Sequence, residues 1–399
     1  MTNDLKPLAG RRLYFVGIGG SGMSAYANIA RAWGADVRGW DARETIFSRT
    51  LDGVDVDLGG EPAPPEGYEA IVSTAHRARI EGTPRADFLA ELVGARPSIV
   101  VTGAHGKTTT TAMIAFALRE TGNDPAWIVG GVVPQLGGNA GTGAGWLVVE
   151  GDESDRSAFE LRPRLAVVTN VELDHHAAYG STAELQAAID AWLADVPDVV
   201  RGWELDPVGF PLAVPGEHNR RNAAAAREAL VRAGVDSAAA EQALARFAET
   251  ERRLEHVGER GGVRLIDDYG HNPTELRAAL ETVRAESDGR LVAIYVPHVV
   301  ERTRHLHAEL GEALGLADVA MVTDFVGQRD APREGVTGRL VLDDVPDPTR
   351  RVWAPSLDDA SALALALVRP GDVVVTLGVG EPWRIARAIL DALPDRGEG

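Results

Sequence analysis

The sequence predicts an α/β protein of three domains, with parallel sheets carrying helices on their faces. Three observations carry this prediction. Short apolar runs repeatedly end in glycine or polar residues and lead into helical stretches, the alternation expected of parallel sheets covered by helices. The 399 residues correspond to two to four domains at about 100–200 residues each. The pattern also restarts twice, at Pro97 and near Arg252.

In the first block, residues 13–17 read as a strand, 18–23 as a glycine turn and 24–33 as a helix. Val37–Trp40, ending at Asp41, and Ala70–Thr74 read as further strands. In the second block, Ile99–Thr102 is a buried-type strand and Thr108–Arg119 a helix. Leu147–Glu150 and Leu165–Thr169 are strands; Asn222–Ala233 and Ala238–Phe247 are helices. The stretch 194–215 is rich in Pro, Gly and Trp and has weak periodicity. In the third block, Val263–Ile266, Leu291–Val296, Val319–Thr323 and Val373–Leu377 are strand candidates. Pro273–Glu286 and Arg304–Leu314 are helical.

Composition narrows the function. No cysteine is present, which excludes disulfides, zinc–thiolate sites and cysteine nucleophiles. A formal charge of 40 − 59 = −19 argues against broad nucleic-acid or anionic-membrane binding. No apolar stretch approaches a membrane span, and the first residues lack a secretory pattern; a cytoplasmic protein is expected. The 40 basic residues are 38 arginines and two lysines, Lys6 and Lys107. Where arginine replaces lysine almost everywhere, a surviving lysine marks a place that arginine cannot serve.

Gly17-Ile-Gly-Gly-Ser-Gly22 fits G-x-G-x-x-G between a strand and a helix. Such glycines let backbone amides approach a diphosphate at the helix N-terminus. Asp41 stands where a ribose-binding acid is expected, so NAD and other diphosphates both remain open. Gly103-Ala-His-Gly-Lys-Thr108 approaches a phosphate loop, although Val101 occupies the place of its first glycine. Lys107 is suited to phosphate and the Thr108 hydroxyl to Mg²⁺. Glu150-Gly-Asp-Glu-Ser-Asp155 and Asn170-Val-Glu-Leu-Asp-His175 each follow a strand. Carboxylates there suit Mg²⁺ held with phosphate oxygens, or cap helices. Asp267-Asp-Tyr-Gly-His-Asn-Pro273 follows a strand of the third block, with Arg252 and Arg253 at that block's entrance.

Together with Pro215-Gly-Glu-His-Asn-Arg-Arg-Asn222, these segments resemble the Mur ligase family, the ATP-dependent amino-acid ligases of peptidoglycan assembly, and within it the alanine-adding branch. The resemblance implies a Rossmann-like UDP-sugar domain (1–97), a shortened P-loop ATPase-like central domain (98–251) and a Rossmann-like C-terminal domain for the amino acid (252–399). It implies L-alanine addition to UDP-N-acetylmuramate through an acyl phosphate, with ATP and Mg²⁺. The alternatives are a relative adding another amino acid or a recycled peptide, and a nucleotide-binding homologue without catalysis.

By resemblance, Gly103, Ala104, His105, Gly106, Lys107, Thr108 and Thr109 hold ATP, with Asn219, Asn222, Arg253 and Asp268. Thr108, Glu150, Glu153 and His175 are the metal ligands, and His175 must be neutral to ligate. Gly17, Gly19, Gly20, Ser21, Gly22, Met23, Asp41, Ser73 and Thr74 hold the UDP end. Lys107, His175, His271, Arg302 and Arg304 are the catalytic candidates. The chain has no lysine in the helix after His175, as in the alanine-adding branch. It departs from the family where Val299 replaces an arginine, where Asn272 replaces a histidine, and in the short stretch between Tyr179 and Pro215.

Overall fold

The computed structural model describes residues 6–45, 47–48, 51, 53–154, 156–174, 178–248, 251–326 and 331–394. They form three sheets flanked by helices.

The first apolar run becomes β1 (Arg12–Val16), buried after its first residue. It feeds α1 (Ser21–Ala32), then β2 (Asp36–Asp41), β3 (Asp55–Leu58), β4 (Glu69–Val72), β5 (Thr83–Pro84) and α2 (Arg85–Gly94). The sheet order is β3-β2-β1-β4-β5, all parallel. A parallel strand covered on both faces must be apolar on both, which is why Leu13 through Val16 alternate no polar residue. Phe88 of α2 packs edge-on against Phe15 at 5.5 Å.

The second sheet contains β6 (Ser98–Thr102), β7 (Ala126–Val133), β8 (Gly138–Gly141), β9 (Leu147–Glu150), β10 (Leu165–Val168) and β11 (Asp198–Arg201). Its order is β11-β10-β6-β9-β7-β8, with β8 antiparallel. Helices α3 (Lys107–Glu120), α4 (Thr182–Leu193), α5 (Glu217–Arg232) and α6 (Ser237–Leu244) accompany it. Every residue of α3 from Thr108 to Leu118 is buried. A helix buried all round lacks a polar stripe, so its four threonines sit inside.

The third sheet is β12 (Glu255–Arg260), β13 (Val263–Asp268), β14 (Leu291–Tyr295), β15 (Val319–Val322), β16 (Arg351–Trp353) and β17 (Val373–Leu377), in the order β12-β13-β17-β14-β15-β16. Only β12 runs antiparallel. Helices α7 (Pro273–Glu286), α8 (Val300–Leu314), α9 (Arg339–Asp343), α10 (Leu357–Leu367) and α11 (Trp383–Ala392) complete it. Along β14, Leu291, Ala293 and Tyr295 face one core, and Val292 and Ile294 the other. That is the period of two expected of a strand.

Several elements lie outside the sequence reading. Strand β11 sits in the stretch of weak periodicity; it is an edge strand of four residues with charged ends. Strand β12, Glu-His-Val-Gly-Glu-Arg, precedes the expected start at Val263. As an edge strand with no fully buried residue it carries no apolar run. Helix α1 begins at Ser21 rather than Ser24, and α8 at Val300 rather than Arg304.

By contacts the chain divides into two compact units. The first runs to Glu172 and adds Thr182–Ala213 and Asn219–Ala248, so it holds the first two sheets. The second holds Leu173–Ser181, Val214–His218 and the chain from Glu249 onward. Among the described residues, no helix is long and apolar enough to cross a membrane.

Candidate active site

In the first unit, β6 ends at Thr102 and the chain turns through 103–106 into α3. Gly106 caps the helix in the left-handed region at φ +77°. A Cβ there would lie 2.3 Å from Asn222 Oδ1, so glycine is required both for conformation and for the approach of Asn222. Asn222 also donates to Asn219 Oδ1 at 3.3 Å. Both asparagines are buried on α5.

The end of β10 pins this loop. Thr169 Oγ1 donates to His105 O at 2.6 Å. Asn170 Nδ2 donates to the same carbonyl at 2.8 Å, and Asn170 Oδ1 accepts from His105 N at 3.2 Å. His105 Nε2 lies 2.9 Å from Glu172 Oε1.

Lys107 folds back over its own loop. Its Nζ donates to Gly103 O at 2.6 Å and Ala104 O at 3.2 Å, and pairs with Glu153 Oε2 at 3.0 Å. Burial works against the ammonium charge, but Glu153, then Glu150 and Asp152, outweigh it and hold the pKa above its ordinary value. Thr108 Oγ1 donates to Glu150 Oε1 at 3.0 Å, while Gly130 N donates to Glu150 Oε2 at 2.7 Å. A hydroxyl and a carboxylate oxygen thus stand side by side at the start of the helix, as hard cations require. Thr109 is buried in the same turn. His175 lies outside the described residues.

The glycine turn after β1 has the same strand–turn–helix build. Gly20 precedes α1 with no side-chain cap, and the first turn carries no acidic residue, which leaves the amide end open to an anion. Asp41 Oδ2 accepts from Gly19 N at 2.8 Å, and Thr45 Oγ1 donates to Gly19 O at 2.7 Å. Ser73 N donates to Val16 O at 3.1 Å, bringing Ser73 and Thr74 beside the turn. Ser21 and Gly22 open the helix, and Met23 is buried behind them. Asn139 Nδ2 donates to Ser21 O at 3.2 Å, joining β8 to the start of α1.

The second unit gathers a different set. Asp267 and Asp268 end β13 and are buried. Asp267 accepts from Arg252 Nε at 2.7 Å and Thr376 Oγ1 at 2.6 Å. Asp268 accepts from Leu254 N at 2.8 Å and Gly270 N at 2.7 Å. Burial pushes Asp268 up to about 6, against the pull of Arg253 and the two amides. Arg253 NH1 lies 3.5 Å from Glu275 Oε1, and its guanidinium sits over the Tyr269 ring.

Arg302 on α8 grips Asp174 through two parallel contacts, Nε to Oδ1 and NH2 to Oδ2. The two side chains are 5% and 4% exposed. His271 Nε2 lies 3.9 Å from the same Asp174, and its Nδ1 3.0 Å from Tyr269 O. Tyr295 donates to His271 O at 3.2 Å. Burial pulls His271 down to about 4, leaving the imidazole neutral. Arg304 is turned onto Glu301 Oε2, and Arg333 occupies Glu301 Oε1. Glu275 and Tyr295 were not singled out in the sequence; Asp174 belonged to the Asn170–His175 cluster read there for Mg²⁺ or capping, and is instead held by Arg302.

Three family models match successive stretches of the chain. Residues 12–96 match the Mur ligase family catalytic domain, 101–199 the Mur ligase middle domain, and 252–380 the Mur ligase glutamate ligase domain. The chain belongs to the Mur ligase family. The UDP-N-acetylmuramate–L-alanine ligase of Renibacterium salmoninarum is 37% identical, over 98% of this chain and 98% of that one. That of Kineococcus radiotolerans is also 37% identical, over 96% and 97%. The crystal structure of UDP-N-acetylmuramate-alanine ligase from Thermotoga maritima is similar with a TM-score of 0.77 and 25% identity, covering 95% and 98%. The first of these alignments spans 459 positions against 399 residues. At least 459 − 399 = 60 positions of this Mur ligase are therefore gaps, in keeping with a shortened chain.

Proposed function

We propose that this Mur ligase adds L-alanine to UDP-N-acetylmuramate at the expense of ATP. What carries the reading is the phosphate loop in which Lys107, Thr108 and Glu150 converge, in a chain similar over its full length to ligases of that name. The sugar carboxylate attacks the γ-phosphate and ADP leaves. The amino group of alanine then attacks the resulting acyl phosphate, and inorganic phosphate leaves.

In this reading the domains are 1–97 for the UDP-sugar, 98–251 for ATP and 252–399 for the amino acid. The residues present fit ATP. Loop amides and the α3 N-terminus face the phosphates, and Lys107 exchanges its contacts with Gly103 and Glu153 for phosphoryl oxygens. Asn219 and Asn222 serve the adenine, and Arg253 and Asp268 the phosphate and ribose. They also fit Mg²⁺, because Thr108 and Glu150 offer adjacent hard oxygens, with Glu153 and His175 as further ligands. Bound there, the ion neutralises charge on phosphoryl oxygens. His271, kept neutral, and Arg302 serve the amino-acid end. A cytoplasmic location follows from ATP as co-substrate.

ADP release with UDP-N-acetylmuramate should be stimulated by L-alanine within a panel of amino acids and the murein tripeptide. Stimulation by the tripeptide alone would assign the chain to peptide recycling, a reading favoured by Val299 in place of the family arginine. No stimulation by any acceptor would sink the ligase reading.

A further inference from the structure

Helix α10 has almost no polar face. Its sequence is Leu-Asp-Asp-Ala-Ser-Ala-Leu-Ala-Leu-Ala-Leu, and only Ala360 and Ala364 are buried. Its polar side chains, Asp358, Asp359 and Ser361, all lie in its first half. From Ala362 to Val368 seven successive residues carry none, yet Ala362, Leu363 and Ala366 are exposed and Leu365 is half-buried. Leu363 is 40% exposed.

A helix apolar on every side is normally enclosed, as α3 is. The neighbouring helix α11 follows the ordinary rule. Its Ile385, Ala386 and Ile389 are buried, while Arg384 and Arg387 meet solvent. At 3.6 residues per turn, Asp358, Asp359, Ala362, Leu363 and Ala366 fall within an arc of about 140°, turned away from Ala360 and Ala364. An exposed apolar face with charged ends marks an interaction surface.

The charges indicate what covers it. Asp358 and Asp359 stand at the N-terminal end, and Arg369, exposed, just beyond the C-terminal end. Asp359 accepts from Ser356 Oγ at 2.6 Å. Among the described residues the side chains of Asp358 and Arg369 have no ion pair; only the Arg369 amide is engaged, by Asp372 Oδ2 at 2.8 Å. The two ends lie about 16 Å apart along the axis. Laid antiparallel on its own copy, this helix sets each acidic end against a basic end, with Ala362 opposite Ala366 of the second copy. A lipid surface is poorly matched, because it selects basic residues beside the apolar stripe and the chain carries a formal charge of −19. We propose that the exposed face of α10 binds the same face of a second copy of this chain, as an antiparallel helix pair about a two-fold axis with Asp358–Arg369 ion pairs at both ends. This surface is independent of the ligase reading.

One helix pair covers less than the roughly 1,200 Å² of a standard interface, so the dimer is weak. The test is sedimentation equilibrium of the full chain from about 1 μM to about 500 μM. Wild type should shift from monomer to dimer across that range, and Leu363→Glu should stay monomeric with an unchanged circular dichroism spectrum. Asp358→Arg should weaken the dimer about tenfold, because it sets like charges together at both ends. Adding Arg369→Asp to it should restore most of that loss. A wild type that stays monomeric, or a dimer that survives Leu363→Glu, overturns the proposal. A loss in Asp358→Arg that Arg369→Asp does not repair overturns the antiparallel pairing. A monomeric wild type that sediments with phosphatidylglycerol vesicles would give the face to lipid and overturn it as well.

Discussion

Lys107 and Arg302 are both cations paired with a buried carboxylate, but the pairings differ in kind. Lys107 spreads three donors over Gly103 O, Ala104 O and Glu153, and 17% of its side chain is exposed. Arg302 commits its planar fork to one partner, Asp174, and both are almost fully enclosed. A compact ammonium on a flexible stem exchanges carbonyls for phosphate oxygens at little loss. A guanidinium held by a carboxylate in a desolvated pocket cannot leave that partner so freely, because either charge left alone is strongly penalised. The first arrangement is a movable charge, the second a fixed strut.

The sharpest break of this comparison is at Lys107. Lys107→Ala should lower ADP formation by about a thousandfold or more, with circular dichroism close to wild type. Persistent turnover would remove it from the chemistry. Lys107→Arg should also fail, because a planar group does not fit the turn beside Gly106.

Arg302 should behave oppositely. Asp174→Ala leaves its guanidinium buried and unpaired, at an expected cost of about 3–5 kcal/mol in urea unfolding. The double replacement Asp174→Leu with Arg302→Met should cost less than Asp174→Ala. An equal or greater loss in the double variant would mean that the charge pair is not the source.

A third contrast is in pH. His271 falls from its ordinary 6.5 to about 4 on folding. Its contribution to stability is complete above pH 6.5 and is lost as pH falls towards 4, about 3 kcal/mol in all. Asp268 acts in the other direction, because its raised pKa of about 6 adds stability as pH falls from 6 towards 4. Comparing wild type with His271→Gln isolates the histidine. The variant should lose about 3 kcal/mol less between pH 7 and pH 4, and parallel curves would refute the burial argument.

The smallest effect expected is at Asn272, whose Oδ1 accepts from Glu275 N at 2.9 Å and caps α7. Asn272→Ala should cost about 1 kcal/mol of stability. Asn272→Asp should cost less in stability, since it retains the capping oxygen.

The phosphate loop was legible because its parts are contiguous. Strand, glycine turn, lysine and helix occupy residues 98–120, and the local conformation alone brings the lysine back to its own carbonyls. The cluster around His271 was legible only in pieces. The motifs Asp267–Pro273 and Asn170–His175 stood out, but the pairing of Asp174 with Arg302, 128 residues later, did not. Arg302 and Arg304 looked alike in the sequence, yet one is buried on Asp174 and the other half-exposed on Glu301. Edge strands β11 and β12 were obscure for a related reason. Each is covered too little to require an apolar run.

By itself the sequence determined the α/β alternation, the two glycine turns and the isolation of Lys107, because each depends on neighbours within a few turns of chain. Tertiary structure alone decided which carboxylate faces which cation, how far Asp268 and His271 depart from their ordinary pKa values, and that the apolar end of α10 is left uncovered. Those depend on burial and on pairing across many tens of residues, and desolvation has no signature in local spacing.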